Sequence, residues 1–326
     1  MKRMFTVVLS IATIGVLSAC GSGPAPSGSA GSGSGNGTIT MGFSQVGAES
    51  GWRTANTTSI KDAAKAADID LKFSDANGKQ ENQISAIRNF ITQKVDVIAF
   101  SPVVTSGLDA VLKEAKDAGI PVILTDRAVD SEDTSLYVTF IGSDFVEEGK
   151  RIGEWVSDNL GTEPINVVEL QGTTGSAPAI DRKTGFEDAI AGNDNISVIA
   201  SETGNFTRAE GKTVMEGFLQ AYPDIDVVYA HNDDMGLGAI EAIKAAGKVP
   251  GKDIKVVTID GVKDGMTALA AGEINYIVEC NPLLGPDLAE IIKTLEDGGT
   301  VEPRIVTQDE AFDQAGAQAV LDDRQY

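Results

Sequence analysis

From Thr38 onward the apolar and polar positions repeat one arrangement. A short run rich in valine and isoleucine is followed by a polar or glycine-bearing turn, then by a longer stretch with apolar residues at helical spacing. The runs predict strands at "ITMGFSQ" (39–45), "LKFSDA" (71–76), "VDVIAFSP" (95–102), "PVILTD" (121–126) and "YVTFIGSD" (137–144). A second series falls at "INVVELQG" (165–172), "ISVIASETG" (196–204), "VVYAHND" (227–233), "KVVTIDG" (255–261) and "NYIVECN" (275–281). Between them, stretches such as "SAIRNFITQK", "LDAVLKEAKDAG", "GKTVMEGFLQAY" and "GAIEAIKAAG" read as helices, several closed by glycine. Strict β/α alternation predicts an α/β fold of parallel sheets covered on both faces. That many strands exceed one ordinary open sheet, so two doubly wound lobes are expected.

Open parallel sheets bind ligands beyond the carboxyl ends of their strands, which makes the residues just after each apolar run the informative ones. In chain order these are Glu49, Trp52 and Arg53; Asp75 and Asn77; Ser101 and Pro102; Asp126 and Arg127; Gln171 and then Arg182; Asn205, Phe206 and Arg208; His231, Asn232, Asp233 and Asp234; Asp260; and Glu279 and Asn281. Planar hydrogen-bonding groups dominate, with two aromatic rings among them. Vicinal sugar hydroxyls call for that combination: carboxylates accept, Asn and Arg donate in fixed planes, and a ring covers the C–H face. Trp52 could be core filler, but its place beside Glu49 and Arg53 in a polar loop favours binding. Asp126-Arg127 could be a surface ion pair of little worth, except that it directly follows "PVILT". A cation at the start of a helix opposes the helix dipole, and on that reading Arg182 is spared for a ligand. Phe206 in "NFTR" also suits a hydrophobic staple at a helix start.

Residues 1–20, "MKRMFTVVLSIATIGVLSAC", carry a basic start, an apolar run and small residues before a cysteine. This reads as an export signal, residues 1–19, because the run is shorter than a membrane span requires. Leu17-Ser18-Ala19-Cys20 resembles a bacterial lipobox, in which cleavage leaves Cys20 as the lipidated first residue. The Gly/Ser/Pro tract that follows, residues 20–37, cannot build a core and would act as a tether. The expected location is therefore extracytoplasmic, anchored to the cell membrane by lipid.

The chain has 326 residues and a formal net charge of −22, with no Lys/Arg-rich run, which argues against nucleic acid as a partner. With Cys20 lipidated, only Cys280 remains, so neither an intrachain disulfide nor a cysteine-based zinc site is expected. Cys280 itself reads as a buried small apolar residue. "NDDMGLG" lacks the acidic residue that closes a calcium loop, and "QGTTGSAP" lacks the Lys-Ser/Thr of a phosphate cradle. No metal and no cofactor are expected. His231, the single histidine, reads as structural.

Taken together, "FSQVGAESGWR", "KQENQISAIRNFITQKVDVIAFSPVV", "LTDRAVD", "VVELQGTTGSAPAIDRKTGF", "NFTRAEGKTVMEGFL", "VYAHNDDMGLGAIEAIK", "VTIDGV" and "GEINYIVECNP" resemble the ribose/galactose-type periplasmic sugar-binding proteins of ABC importers. These belong to the type I periplasmic-binding superfamily, and the galactofuranose-binding members are the most alike. The likeness spans about residues 38–300. It implies two lobes joined by a three-stranded hinge, a monosaccharide bound between them, and a closed form recognised by a permease with its ATPase. Laid on this chain, it gives an N-terminal lobe of 38–141 plus 281–303 and a C-terminal lobe of 142–280 plus 304–326, in a monomer. It further implies sugar contacts from Trp52, Arg53, Asp126 and Arg127 on the first lobe, to which the strand-end reading adds Glu49. Arg182, Phe206, Asn232, Asp260 and Glu279 are the implied contacts on the second lobe and hinge. Ribose binders carry Gln where Glu279 stands and Phe where Arg53 stands, which points away from simple ribose.

Two other functions remain open at this level. One is a sugar sensor docking on a signalling receptor. The other is an exported hydrolase using His231 as base, although no G-x-S-x-G elbow is present.

Overall fold

The computed structural model describes residues 37–160 and 162–326. The expectations for the export signal, for Cys20 and for all of the tether before Gly37 lie outside the described residues.

The first lobe opens with β1 (Thr40–Gln45), α1 (Gly51–Ala66), β2 (Asp70–Asp75), α2 (Gln80–Gln93), β3 (Val97–Phe100), α3 (Asp109–Asp117), β4 (Val122–Thr125) and β5 (Thr139–Gly142). The chain then crosses over and builds α4 (Phe145–Leu160), β6 (Ile165–Gln171), α5 (Ala177–Ile190), β7 (Ile196–Thr203), α6 (Arg208–Ala221), β8 (Val227–Ala230), α7 (Asp233–Ala245), β9 (Lys255–Asp260), α8 (Lys263–Ala270) and β10 (Tyr276–Glu279). It returns as α9 (Gly285–Glu296) and β11 (Arg304–Val306), and finishes with β12 (Ala311–Phe312) and α10 (Gln314–Val320). Among the described residues there are two six-stranded sheets, ordered β11-β5-β4-β3-β1-β2 and β12-β10-β9-β8-β6-β7.

Every pairing in the first sheet is parallel, while β12 pairs antiparallel with β10 at the edge of the second. The strand patterns explain these positions. Val97-Ile98-Ala99-Phe100 and Val227-Val228-Tyr229-Ala230 are buried along their whole length, as central strands covered on both faces must be. At the sheet edge β2 is only half-buried, and it alternates polar residues with Leu71 and Phe73. Glycines with left-handed φ follow α3 and α7, at Gly119 and Gly247, and stop those helices as the sequence suggests.

Among the described residues three crossings join the lobes, between Gly142 and Phe145, between Glu279 and Gly285, and between Val306 and Ala311. The last lies past the expected 303/304 boundary, because Arg304–Val306 pairs in parallel with β5 and extends the first sheet. One side chain ties the crossings together. Ser143 Oγ lies 3.4 Å from Cys280 Sγ and 3.0 Å from Thr307 Oγ1.

Each lobe has its own core. In the first, Ile98, Phe100, Leu112 and Leu124 lie on one face of the sheet, and Met41, Phe43, Ile123 and Leu288 on the other. In the second, Val228, Met235 and Ile243 form one cluster, and Val167, Phe186 and Tyr229 another. A fully buried aliphatic or aromatic side chain of this kind contributes roughly 1.5–3 kcal/mol. That rigidity lets the strand ends hold polar residues in fixed positions.

Candidate functional site

In both sheets the strand order reverses beside an inner strand. β1 lies between β2 and β3, and β6 between β7 and β8. The crevice at such a reversal, beyond the carboxyl ends of the strands, is where open α/β sheets bind ligands. Here the crevices of the two lobes face each other across a small cavity. Its wall is formed by Glu49, Ser50, Trp52, Arg53, Asp126 and Arg127 from the first lobe, by Pro178, Arg182, Phe206, Asn232 and Asp260 from the second, and by Cys280 at a crossing.

The lobes are closed on one another. Gly51 N donates to Asp234 Oδ2 at 2.7 Å, Thr105 N to the Gly175 carbonyl at 3.0 Å, and Trp52 Nε1 to the Cys280 carbonyl at 2.6 Å.

The first-lobe wall is a row of alternating charges. Ser50 caps α1 by accepting from Arg53 N, which sets Trp52 and Arg53 in the first turn. Arg53 Nη2 donates to Asp126 Oδ2 at 2.6 Å, Nη1 to Gln45 Oε1 at 3.3 Å, and Nε and Nη2 reach Glu49 Oε1 at 3.4 Å. Burial lowers the pKa of Arg53, but Asp126 and Glu49 outweigh it and the net shift is upward. Arg127 is different: Nη2 donates to Glu49 Oε1 at 2.5 Å, while Nε and Nη1 are buried without a hydrogen-bond partner. Burial pulls this guanidinium below its ordinary value against the attraction of Glu49. Nε lies 3.6 Å from Asp126 Oδ2, beyond hydrogen-bond reach, and donors left without a hydrogen bond in a cavity wall are costly unless a ligand accepts from them.

Aromatic faces flank the row. Arg53 lies over the Trp52 ring at 4.6 Å and Arg127 over the Phe206 ring at 5.2 Å, the second contact spanning the lobes. Phe206 precedes Thr207, the cap of α6, and is buried in the second-lobe core, but the fourth helical residue that a staple would meet is Gly211, so Phe206 serves the core and the cavity wall and not a staple. Gly172 is needed beneath it, because a Cβ there would collide with the ring. Asp126, Phe206 and Asp260 all hold positive φ, at 63°, 62° and 128°. Non-glycine residues adopt such values at a cost of order 1–3 kcal/mol each, and they gather at ligand sites.

On the second lobe Arg182 is mid-helix in α5 rather than at its start, so the argument from the helix dipole does not apply. Its Nε donates to Glu148 Oε2 at 2.7 Å, Nη1 to the His231 carbonyl at 2.6 Å, and Nη2 lies 3.7 Å from Asp260 Oδ1. Burial pushes Glu148 up to about 7 against the pull of Arg182, and it raises Asp260 well above the carboxylate range. Asn232 caps α7 through Met235 N at 3.0 Å and donates to the Phe206 carbonyl at 3.1 Å, so it braces Phe206 while lining the cavity.

Nine of the ten expected site residues meet in this wall. Glu279 does not; it is engaged by Tyr326, Arg324 and the Glu310 amide. Ser50, Pro178 and Cys280 line the cavity without having been expected there. Asp75, Asn77, Ser101, Pro102, Gln171, Asn205, Arg208, Asp233, Asp234 and Asn281 stay outside its wall. Asp75 and Asn77 form a local turn, and Arg208 pairs with Asp234 and Asp264. His231 is fully buried, with Nε2 2.9 Å from Glu169 Oε1 and Nδ1 accepting from Gly172 N at 3.5 Å. Burial lowers its pKa.

A two-lobed α/β body with polar strand ends converging on a closed interlobe cavity defines a binding protein of the bilobal periplasmic class. The family model for the periplasmic binding protein domain matches residues 41–300, and the chain belongs to that family. It is 51% identical over 274 residues to the galactofuranose-binding protein YtfQ of Escherichia coli, covering 83% of this chain and 86% of that protein. A crystal structure of a Mycobacterium smegmatis protein in complex with β-D-fucofuranose shares 65% identity with a TM-score of 0.87, covering 89% of this chain and 96% of that one. The binding component of an arabinose ABC transporter from Shewanella, bound to α- and β-L-arabinofuranose, shares 48% identity with a TM-score of 0.85 over 88% and 96% of the two chains.

Proposed function

We propose that this chain binds one neutral monosaccharide in furanose form between its lobes, as the extracytoplasmic receptor of an ABC importer. The observation that carries the reading is Arg127: a buried guanidinium in the cavity wall, near an aromatic ring, whose Nη1 and Nε make no hydrogen bond, Nε lying 3.6 Å from Asp126 Oδ2. Hydroxyl and ring oxygens of a sugar satisfy such donors, while the Trp52 and Phe206 faces cover its C–H surface. The arginines face Glu49, Asp126, Glu148 and Asp260, so carboxyl groups stand beside guanidinium donors around the cavity and together suit the mixed donor and acceptor character of sugar hydroxyls.

The furanose preference is supported by the relatives, whose ligands are galactofuranose, fucofuranose and arabinofuranose. Nine wall residues, Glu49, Trp52, Arg53, Asp126, Arg127, Arg182, Phe206, Asn232 and Asp260, are assigned to the sugar site on this reading. Delivery of the closed form to a permease, anchoring through lipid on Cys20 and action as a monomer complete the proposal. A thermal-shift screen of the chain against monosaccharides tests it, since a ligand that binds only the folded form raises apparent stability. A shift with sugars that populate furanose forms supports the reading. No shift with any sugar removes it.

A further inference from the structure

Glu279 ends β10 yet faces away from the cavity, and the segment Arg324–Tyr326 closes on it. The Tyr326 hydroxyl donates to Glu279 Oε1 at 2.6 Å, and Arg324 Nη1 lies 2.7 Å from the same oxygen. Arg324 then reaches across to the neighbouring strand end: its Nε donates to the Gly261 carbonyl at 2.6 Å and its Nη2 to Tyr326 Oη at 2.7 Å. Lys263 N donates to the Tyr326 carbonyl at 2.7 Å. The guanidinium lies over the Tyr326 and Phe312 rings at 4.2 and 5.4 Å, so its plane is fixed by packing as well as by hydrogen bonds.

The two atoms being held, Gly261 O and Glu279 Oε1, adjoin cavity residues. Gly261 follows Asp260, whose φ of 128° leaves its backbone in a region that aspartate rarely adopts. Glu279 precedes Cys280, whose N–H donates to the Asp260 carbonyl at 3.1 Å and whose carbonyl accepts from the Trp52 indole. Asp260 and Cys280 both line the cavity.

We propose that Arg324 and Tyr326 are positioning residues of the sugar cleft. By tying Gly261 to Glu279 they fix the ends of β9 and β10, which present the Asp260 carboxylate and the carbonyl that holds Trp52. The proposal rests on the reading of the cavity as a sugar site. It extends that site to a segment that touches no ligand, and it gives Glu279 the task of anchoring the segment.

The test uses the purified chain and the variants Tyr326→Phe, Arg324→Ala and Arg324→Lys. Each is titrated calorimetrically with methyl β-D-galactofuranoside, and amide hydrogen exchange is followed in the sugar-free protein. Tyr326→Phe and Arg324→Ala are each expected to raise Kd by roughly fivefold, the scale of one lost buried hydrogen bond. Exchange at Gly261, Lys263 and Cys280 should quicken while first-lobe amides are unchanged, and Arg324→Lys should recover part of the affinity. Wild-type Kd in both Tyr326→Phe and Arg324→Ala overturns the proposal. If the unaltered chain binds no furanoside, the reading of the cavity fails, and exchange then decides the clamp by itself. Faster exchange at Cys280 in Tyr326→Phe upholds the hold on the two strand ends, and unchanged exchange overturns it.

Discussion

Arg127 meets Glu49 through a single nitrogen at 2.5 Å and keeps its Nε and Nη1 buried in the wall of the interlobe cavity without a hydrogen-bond partner. On the proposed reading those donors belong to the sugar. Arg127→Ala should weaken sugar binding at least tenfold, about 1–3 kcal/mol for unpaired polar groups in a dry site. Arg127→Lys should recover little, because an ammonium cannot present the planar fork. Calorimetry giving wild-type affinity in Arg127→Ala would take this residue out of the site.

Trp52 and Trp155 offer a spectroscopic contrast. Trp52 lines the cavity and donates to the Cys280 carbonyl, whereas Trp155 stacks on Tyr276 at 5.4 Å on the second lobe. Sugar binding should therefore change tryptophan emission in Trp155→Phe and leave it nearly unchanged in Trp52→Phe. The reverse outcome would make Trp52 a packing residue and move the ligand elsewhere.

Glu148 carries a pH dependence whose sign follows from burial. Its carboxyl is raised from 4.5 to about 7, so between those values the folded chain keeps a proton that the unfolded chain has lost. The folded state binds more protons in that window, and the contribution of Glu148 to stability declines as pH rises through it. Glu148→Gln keeps an acceptor for Arg182 and cannot ionise. Its stability relative to the unaltered chain should thus grow as pH rises from about 5 to about 7. Chemical denaturation at three pH values checks this, and a constant difference would mean that Glu148 is ionised in the fold.

Lipid anchoring through Cys20 is tested by mass spectrometry of the membrane fraction. The expected first residue is an acylated Cys20, with residues 1–19 removed. Cys20→Ala protein from which residues 1–19 have been removed should leave the membrane fraction, and tight membrane association of that processed variant would contradict the assignment.

How far these properties could be read from sequence depended on how strongly each element was written. The central strands are written in Val and Ile because both faces are covered, and their runs reveal them directly. Arg304–Val306 and Ala311–Phe312 escape such reading, since two or three residues among polar neighbours carry no periodicity. Their absence also put the last crossing too early. The site was legible wherever a polar or aromatic residue directly followed a strand run, as at Asp126, Arg127 and Asp260. Cys280 has the same placement after β10 but was read by its side chain as core, although its carbonyl is the group that holds Trp52. Glu279 was carried into the site by resemblance, and only the fold shows Tyr326 and Arg324 closing on it from 47 and 45 residues away. Glu148 carried no signal at all, because an acidic residue in the first turn of a helix ordinarily suits the helix dipole and the solvent.

The central claim is that the closed cavity holds a neutral furanose. Isothermal titration of the purified chain with methyl β-D-galactofuranoside, alongside methyl β-D-galactopyranoside, tests it most directly, because the locked rings cannot interconvert. The account predicts saturable binding of one furanoside per chain, no detectable binding of the pyranoside and no sugar turnover. Binding of the pyranoside alone, or of neither ring form, would contradict it.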